Sequence, residues 1–188
     1  MRFKLLVSFV LLLVAMPAAA AWADEYQDTV EIFKNAGESG GFFDKCYGYA
    51  VFPTIGKGGI GVGGAYGKGR VYVAGKHVGD TSMGQVTLGF QLGGQAYSQI
   101  IFLQDKRAFE EFSSGKFEFG AQASAVAITA GASAAATTAG SSAGASGGKK
   151  DATTVGKYSG GMAVFTVAKG GLMYEASIGG QKFSYTAK

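Results

Sequence analysis

The chain has 188 residues with 17 Lys and Arg against 13 Asp and Glu, one His, one Cys and 32 Gly. Setting aside Arg2 and Lys4, which belong to an N-terminal leader, leaves fifteen basic against thirteen acidic residues, a net +2 that is too weak for a nucleic-acid binder. A single cysteine, Cys46, excludes an internal disulfide, so stability has to come from packing.

The first 23 residues read as a secretory signal. Arg2 and Lys4 precede the apolar run LLVSFVLLLVAM, and a small-residue stretch ends in Ala21-Trp22-Ala23. Cleavage after Ala23 leaves residues 24–188, about the size of one domain with a real core. The run is short for a membrane span of about twenty residues, and no cysteine sits at the cut to carry a lipid anchor. The expected location is the periplasm or beyond, with the mature protein peripheral on an envelope membrane.

Residues 25–38 (EYQDTVEIFKNAGE) place Val30, Ile32 and Phe33 near one face among charges, which predicts an amphipathic helix ended by Gly37. The aromatic stretch GGFFDKCYGYAVFP comes next. In FPTIGKGGIGVGGAYGKGR, residues 52–70, eight positions are Gly and three are basic, a composition that raises the question of a phosphate site. A P-loop needs a Gly five residues before Gly-Lys; Val51 and Val62 stand there, and each Lys is followed by Gly rather than a hydroxyl residue. The G-x-G-x-x-G spacing occurs at Gly56, Gly58, Gly61 and again at Gly59, Gly61, Gly64, but the next residues are the strand-like AYGKGRVYVAG rather than the helix a dinucleotide fold requires. No nucleotide is expected. The glycines are read instead as the devices of a twisted, bulged sheet in which backbones approach closely.

Val71 and Val73 alternate with Arg70 and Tyr72, and GKHVGDTS (75–82) reads as a loop holding a solvated His77. His77 with Asp80 has no nucleophile elbow beside it, and no cluster of His, Cys or acidic residues has metal-ligand spacing. Neither catalysis nor a cofactor is expected. QVTLGFQLG (85–93) alternates strictly, predicting a strand with Val86, Leu88, Phe90 and Leu92 on the buried face and Gln85, Thr87 and Gln91 on the polar one. AYSQIIFLQ is a further strand. DKRAFEEFSSG (105–115) supplies an Asp cap, two inward Phe at helical spacing and a stopping Gly, while Asp105, Glu110 and Glu111 read as its solvent face. KFEFGAQASAVAIT resumes strand character. Residues 129–148 contain only Ala, Gly, Ser and Thr and are expected to form a flexible loop. Two strand-like runs, KYSGGMAVFTVAK and GGLMYEASIGGQKFSYT, then meet at Gly170-Gly171 as a terminal hairpin. The fold class is α+β, a mainly antiparallel, strongly bent or barrel-like sheet with a few short helices.

The blocks GYAVFPTIGKGGIGVGGAYGKGRVYV, GFQLGGQAYSQIIFL, FEEFSSGKFEFGAQASA and KYSGGMAVFTVAKGGLMYEASIGG, spread over about residues 45–183, resemble the SYLF domain, with 24–188 as the SYLF-like unit. The resemblance is to the secreted bacterial branch. It implies a non-enzymatic binder of anionic phospholipid, with phosphoinositide-like head groups known from the eukaryotic branch. The chain departs from the family in carrying the Ala/Ser/Thr tract after GAQASA where members often have a Gly-Pro element, and in lacking a Tyr-Tyr-Gly ending. Lys57, Lys68, Arg70 and Lys76 come from neighbouring turns and strands and form the candidate lipid-binding cluster, with Tyr66 and Tyr72 suited to an interface. Ordinary solvated turn residues are the plain alternative for the four cations. At the level of the whole chain the rivals are a small outer-membrane β-barrel and a structural or protein-interaction module of the periplasm.

Overall fold

The computed structural model describes residues 21–89, 94–121, 123–128, 157–169 and 178–188. Residues 1–20 of the expected signal 1–23, the Ala/Gly/Ser/Thr tract at 129–148, Phe90 to Leu92 and the Gly170-Gly171 turn lie outside them.

Helix α1 (Ala21–Asn35) leads to one 3-10 turn (Gly40–Phe42) and strand β1 (Gly48–Val73), then β2 (Lys76–Gly89), β3 (Gln95–Leu103), α2 (Lys106–Ser113), β4 (Val126–Ile128), β5 (Met162–Ala168) and β6 (Lys182–Ala187). The strands form one sheet in the order β4-β5-β3-β1-β2-β6. All neighbours are antiparallel except β4 and β5, which run parallel. The α+β class is thus as expected, with a mixed sheet whose edges are β4 and β6.

β1 bends the sheet. Its first part, Gly48 to Lys57, pairs with β3, and its second, Gly61 to Val73, pairs with β2. Seventeen residues of straight strand span about 56 Å, yet a Cβ placed on Gly69 would stand 2.7 Å from the Phe52 ring. The strand has therefore curled back over its own beginning. Gly69 is required there, because any side chain would meet that ring and the Val51 carbonyl oxygen. The curl ends in a two-residue turn, Ala74-Gly75, with φ of 48° and 74°, the left-handed pair that suits a tight hairpin.

Two apolar layers result from the alternation. The inner face of the curl collects Phe52, Ile55, Val71, Met83, Ile101 and Phe183, closed by Ala108 and Phe112 of α2. Outside, Val30 and Phe33 of α1, with Ala36 just after it, lie on Val51, Ile100, Phe102 and Phe165. α2 starts as its sequence predicts, with Asp105 accepting from the Ala108 amide. A three-way clasp fixes α1 at its start: Thr54 Oγ1 donates to Glu25 Oε1 at 2.9 Å, and Lys169 Nζ reaches Thr54 Oγ1 at 2.9 Å and Glu25 Oε1 at 3.5 Å.

Four expectations need correction. The segment 76–82 is strand, since Lys76 to Ser82 pair with Val73 to Lys68. At the start of the 85–93 run the expected faces are exchanged: Gln85 is buried, its Nε2 donating to Gly179 O at 2.9 Å, while Val86 is 75 % exposed. The interior accepts such amides because it is itself polar in places; Gln99 and Gln181 exchange amide bonds of 2.9 and 3.2 Å at zero exposure, and Gln181 also donates to Tyr97 Oη. The described end of the second terminal run does not pair with the first: β5 pairs with β3 and β4, and β6 pairs with β2, almost the full width of the sheet away, while residues 170–177, where the expected turn falls, lie outside the described residues. Finally, 116–125 is mostly irregular, carrying single bridges before β4 begins at Val126. Phe117, Phe119 and Phe183 cluster there, and the segment is still tied to β6 by backbone bonds, Phe119 N donating to Gln181 O and Phe183 N to Phe117 O, both at 3.0 Å.

Candidate functional site

α1 covers the outer face of the sheet over the first part of β1, β3 and β5, and among the described residues no helix covers the outer face of the second part of β1, β2 and β6. Period-two alternation in the second part of β1 turns Tyr66, Lys68 and Arg70 outward, between the buried Ala65, Gly67, Gly69 and Val71. Their register partners in β2 are Gly84, Ser82 and Asp80, and those of β2 in β6 are Lys182, Ser184 and Thr186. Three strands thus raise one polar surface. With Tyr26 of α1 as an end wall, it encloses an open cleft of about 380 Å3 in which Lys68 and Arg70 share a lining with Tyr66, Ser82, Ser184 and Thr186.

The charges in the cleft are arranged by neighbours. The Arg70 guanidinium lies 4.1 Å from the centre of the Tyr26 ring, a cation–π contact that holds it in place without neutralising it. Burial pushes the Tyr26 hydroxyl pKa up, and Arg70 offsets part of that rise. Asp80 stands opposite Arg70 in register, but its carboxylate accepts from His77 Nε2 at 2.9 Å. The same nitrogen donates to Gly79 O, so the proton sits on Nε2, and Lys188 Nζ donates to Nδ1 at 3.4 Å. His77 also tilts against Tyr72, with ring centres 5.5 Å apart. The polar contacts of His77 are thus to its own strand and to the C-terminal Lys188. Lys68 makes no ion pair among the described residues. Ser82 and Ser184 share a hydrogen bond of 2.7 Å between their hydroxyls.

Of the four cations singled out in the sequence, the structure brings Lys68 and Arg70 together. Lys57 sits before the bend, half-buried and opposite Gln95 of β3. Lys76 is exposed at the Ala74-Gly75 turn, and neither lines the cleft. Sequence reasoning misses Tyr26, Ser184 and Thr186. The alternation of Lys182, Ser184 and Thr186 with Phe183 and Tyr185 carries the signal for β6, but a terminal hairpin gives that strand the wrong partner. Beyond the cations the same outer face turns apolar, with Val62 63 % and Val86 75 % exposed and Tyr66 57 % exposed between them and Lys68.

Among the described residues no group of three or more His, Cys, Asp or Glu side chains is placed to hold a metal ion. No helix among them is long and apolar enough to cross a membrane.

Residues 84–186 match a family model described as Ysc84, Las17-binding protein actin regulator. The match runs from the second half of β2 through most of β6. The chain is also similar to beta cell expansion factor A of Aeromonas veronii, 31% identical over 143 residues, which is 75% of this chain and 46% of that protein. The chain thus spans about half the length of that curated relative.

Proposed function

The chain belongs to the SYLF family, the Ysc84 domain matched over residues 84–186, and from that premise we propose that it binds the surface of anionic phospholipid membranes at the bacterial cell envelope and catalyses no reaction. The observation that carries this reading is the cleft on the bare outer face, where Lys68 and Arg70 stand side by side between two tyrosines. Each basic side chain near an anionic surface contributes about 1 kcal/mol, so the pair supplies roughly a thirtyfold preference for anionic over neutral lipid. Arg70 offers a planar fork for phosphate oxygens, Lys68 a mobile point charge, and the serine and threonine hydroxyls add neutral donors around them. A phosphorylated head group of the phosphoinositide type meets all three. Asp80 opposes an anion least when His77 occupies its carboxylate, which is the arrangement present.

The test is co-sedimentation of the purified chain with neutral and with anionic phospholipid vesicles across a salt series. Binding confined to anionic vesicles and weakened by salt is the expected result, because exposed charges are screened within about 8 Å at physiological ionic strength. Lys68→Glu with Arg70→Glu should abolish it while the thermal midpoint holds. Unchanged binding in that folded variant removes the cleft from the account, and no wild-type binding to anionic vesicles removes the reading itself.

A further inference from the structure

The outer face of β1 is ordered along its length. Val62, Tyr66, Lys68 and Arg70 succeed one another on the same side of one strand, from apolar through aromatic to cationic. Val86 of β2 stands opposite Gly64, so it lies diagonal to both Val62 and Tyr66 and completes a patch with them. Gly64 and Gly84 add no side chain to that face, which leaves two valines and a tyrosine standing proud of the backbone. The far half of the hairpin is also free of charge: Gly58 to Gly67 in β1 and Thr81 to Gly89 in β2 contain no Asp, Glu, Lys or Arg. Lys57 and Lys68 bracket the uncharged run of β1.

We propose that this hairpin enters an anionic bilayer end-on, its uncharged half in the interfacial layer and its cations at the level of the lipid phosphates. The inference rests on the membrane-binding reading above and adds the part that penetrates. At a strand rise of about 3.3 Å per residue, Val62 lies roughly 13 Å beyond Tyr66 and 20 Å beyond Lys68. That order matches the layers of a leaflet: apolar side chains at the acyl boundary, an amphipathic ring among the head groups, and Lys and Arg beside phosphate. A lipid surface is preferred over a protein partner because the cations sit at the root of the apolar end rather than ringing it. A protein patch of this kind has a polar rim on all sides; here the charged groups of the outer face, Lys68, Arg70 and, level with Tyr66, Lys182 paired with Glu118, all lie on the root side of Val62 and Val86.

Depth decides the matter. Trp22, the sole tryptophan, falls within the expected signal, so residues 24–188 carry none, and a single reporter can be placed in them by Val86→Trp or, at the cationic end of the same face, by Thr186→Trp. With vesicles of anionic phospholipid brominated close to the head group, the Val86→Trp reporter should be quenched and blue-shifted, and the Thr186→Trp reporter should be neither. Val62→Asp with Val86→Asp should weaken vesicle binding by about tenfold or more, since two apolar side chains lose their transfer gain. Pelleting with vesicles but no quenching of the Val86→Trp reporter overturns insertion and leaves surface binding standing. Failure to pellet at all overturns the membrane reading and insertion together. If the double Asp variant instead converts a wild-type dimer to a monomer on gel filtration, a second copy of the chain covers the patch and the proposal is wrong.

Discussion

Alanine at position 69 should cost the fold far more than alanine at position 84, although both glycines lie in paired strands of one hairpin. A Cβ on Gly69 would lie 2.7 Å from two carbons of the Phe52 ring and 2.8 Å from Val51 O. Carbon atoms pack best at about 3.5–4.0 Å, so the overlap approaches 1 Å. Phe52 is fully buried and a carbonyl in a paired strand has nowhere to go, so the halves of β1 must part. Overpacking of this kind costs about 1–3 kcal/mol, and a backbone obstacle puts it near the upper end. Gly69 has no positive φ, so alanine also stiffens the unfolded chain and returns about 0.4–1 kcal/mol. The net expectation is about 2 kcal/mol, or roughly 4–8 °C in thermal midpoint for a chain of this size. Gly84 faces open space, and Gly84→Ala should leave the midpoint within about 1 °C or raise it slightly. Thermal unfolding monitored by circular dichroism, with urea midpoints as a second measure, reads both. Equal midpoints for the two variants would refute the tight curl of β1.

Two further outcomes are expected from the polar interior. Gln99→Leu alone strands the Gln181 amide and should cost about 1–3 kcal/mol; Gln99→Leu with Gln181→Leu should cost clearly less than the sum of the two single changes, and a urea double-mutant cycle showing simple additivity would argue against the paired amides. Burial pushes the Tyr97 hydroxyl up to about 12, against a smaller lowering by its bond from Gln181. The unfolded chain releases this proton near pH 10 and the folded one holds it, so the contribution is intact below pH 10 and is lost as pH rises to about 12, by up to roughly 3 kcal/mol. Tyr97→Phe should flatten that fall in a pH series of urea midpoints; an unchanged slope would place the loss at other groups.

Both helices are legible in the sequence because their signals are local: an amphipathic spacing around Val30 and Phe33, and an Asp105 cap three residues before the amide it binds. Strand alternation is legible for the same reason. What alternation does not encode is which face turns inward. Val86 looks like core and Gln85 like surface, yet Gly179, 94 positions away, supplies the acceptor that lets Gln85 go in. The candidate site divides in the same manner. Lys68 and Arg70 lie two residues apart on one strand, so sequence proximity places them together correctly. Lys57 is only eleven residues from Lys68, but the curl of β1 falls between them. Tyr26, Ser184 and Thr186 reach the cleft from both ends of the chain, and only the order of strands in the sheet makes them neighbours.

The clasp of Glu25, Thr54 and Lys169 has a consequence for the order of assembly. Its members are drawn from positions up to 144 residues apart, and β6 finds β2 across about a hundred residues. As a growing chain emerges, α1 is exposed first but lacks its anchor until β5 has been made, and β2 waits still longer for its outer neighbour. Contacts this remote in sequence are slow to form, because loop closure precedes any gain from pairing. The Lys169 contact can therefore close only once β5 has been made, whereas the packing of α1 on Val51, Ile100 and Phe102 draws on earlier segments.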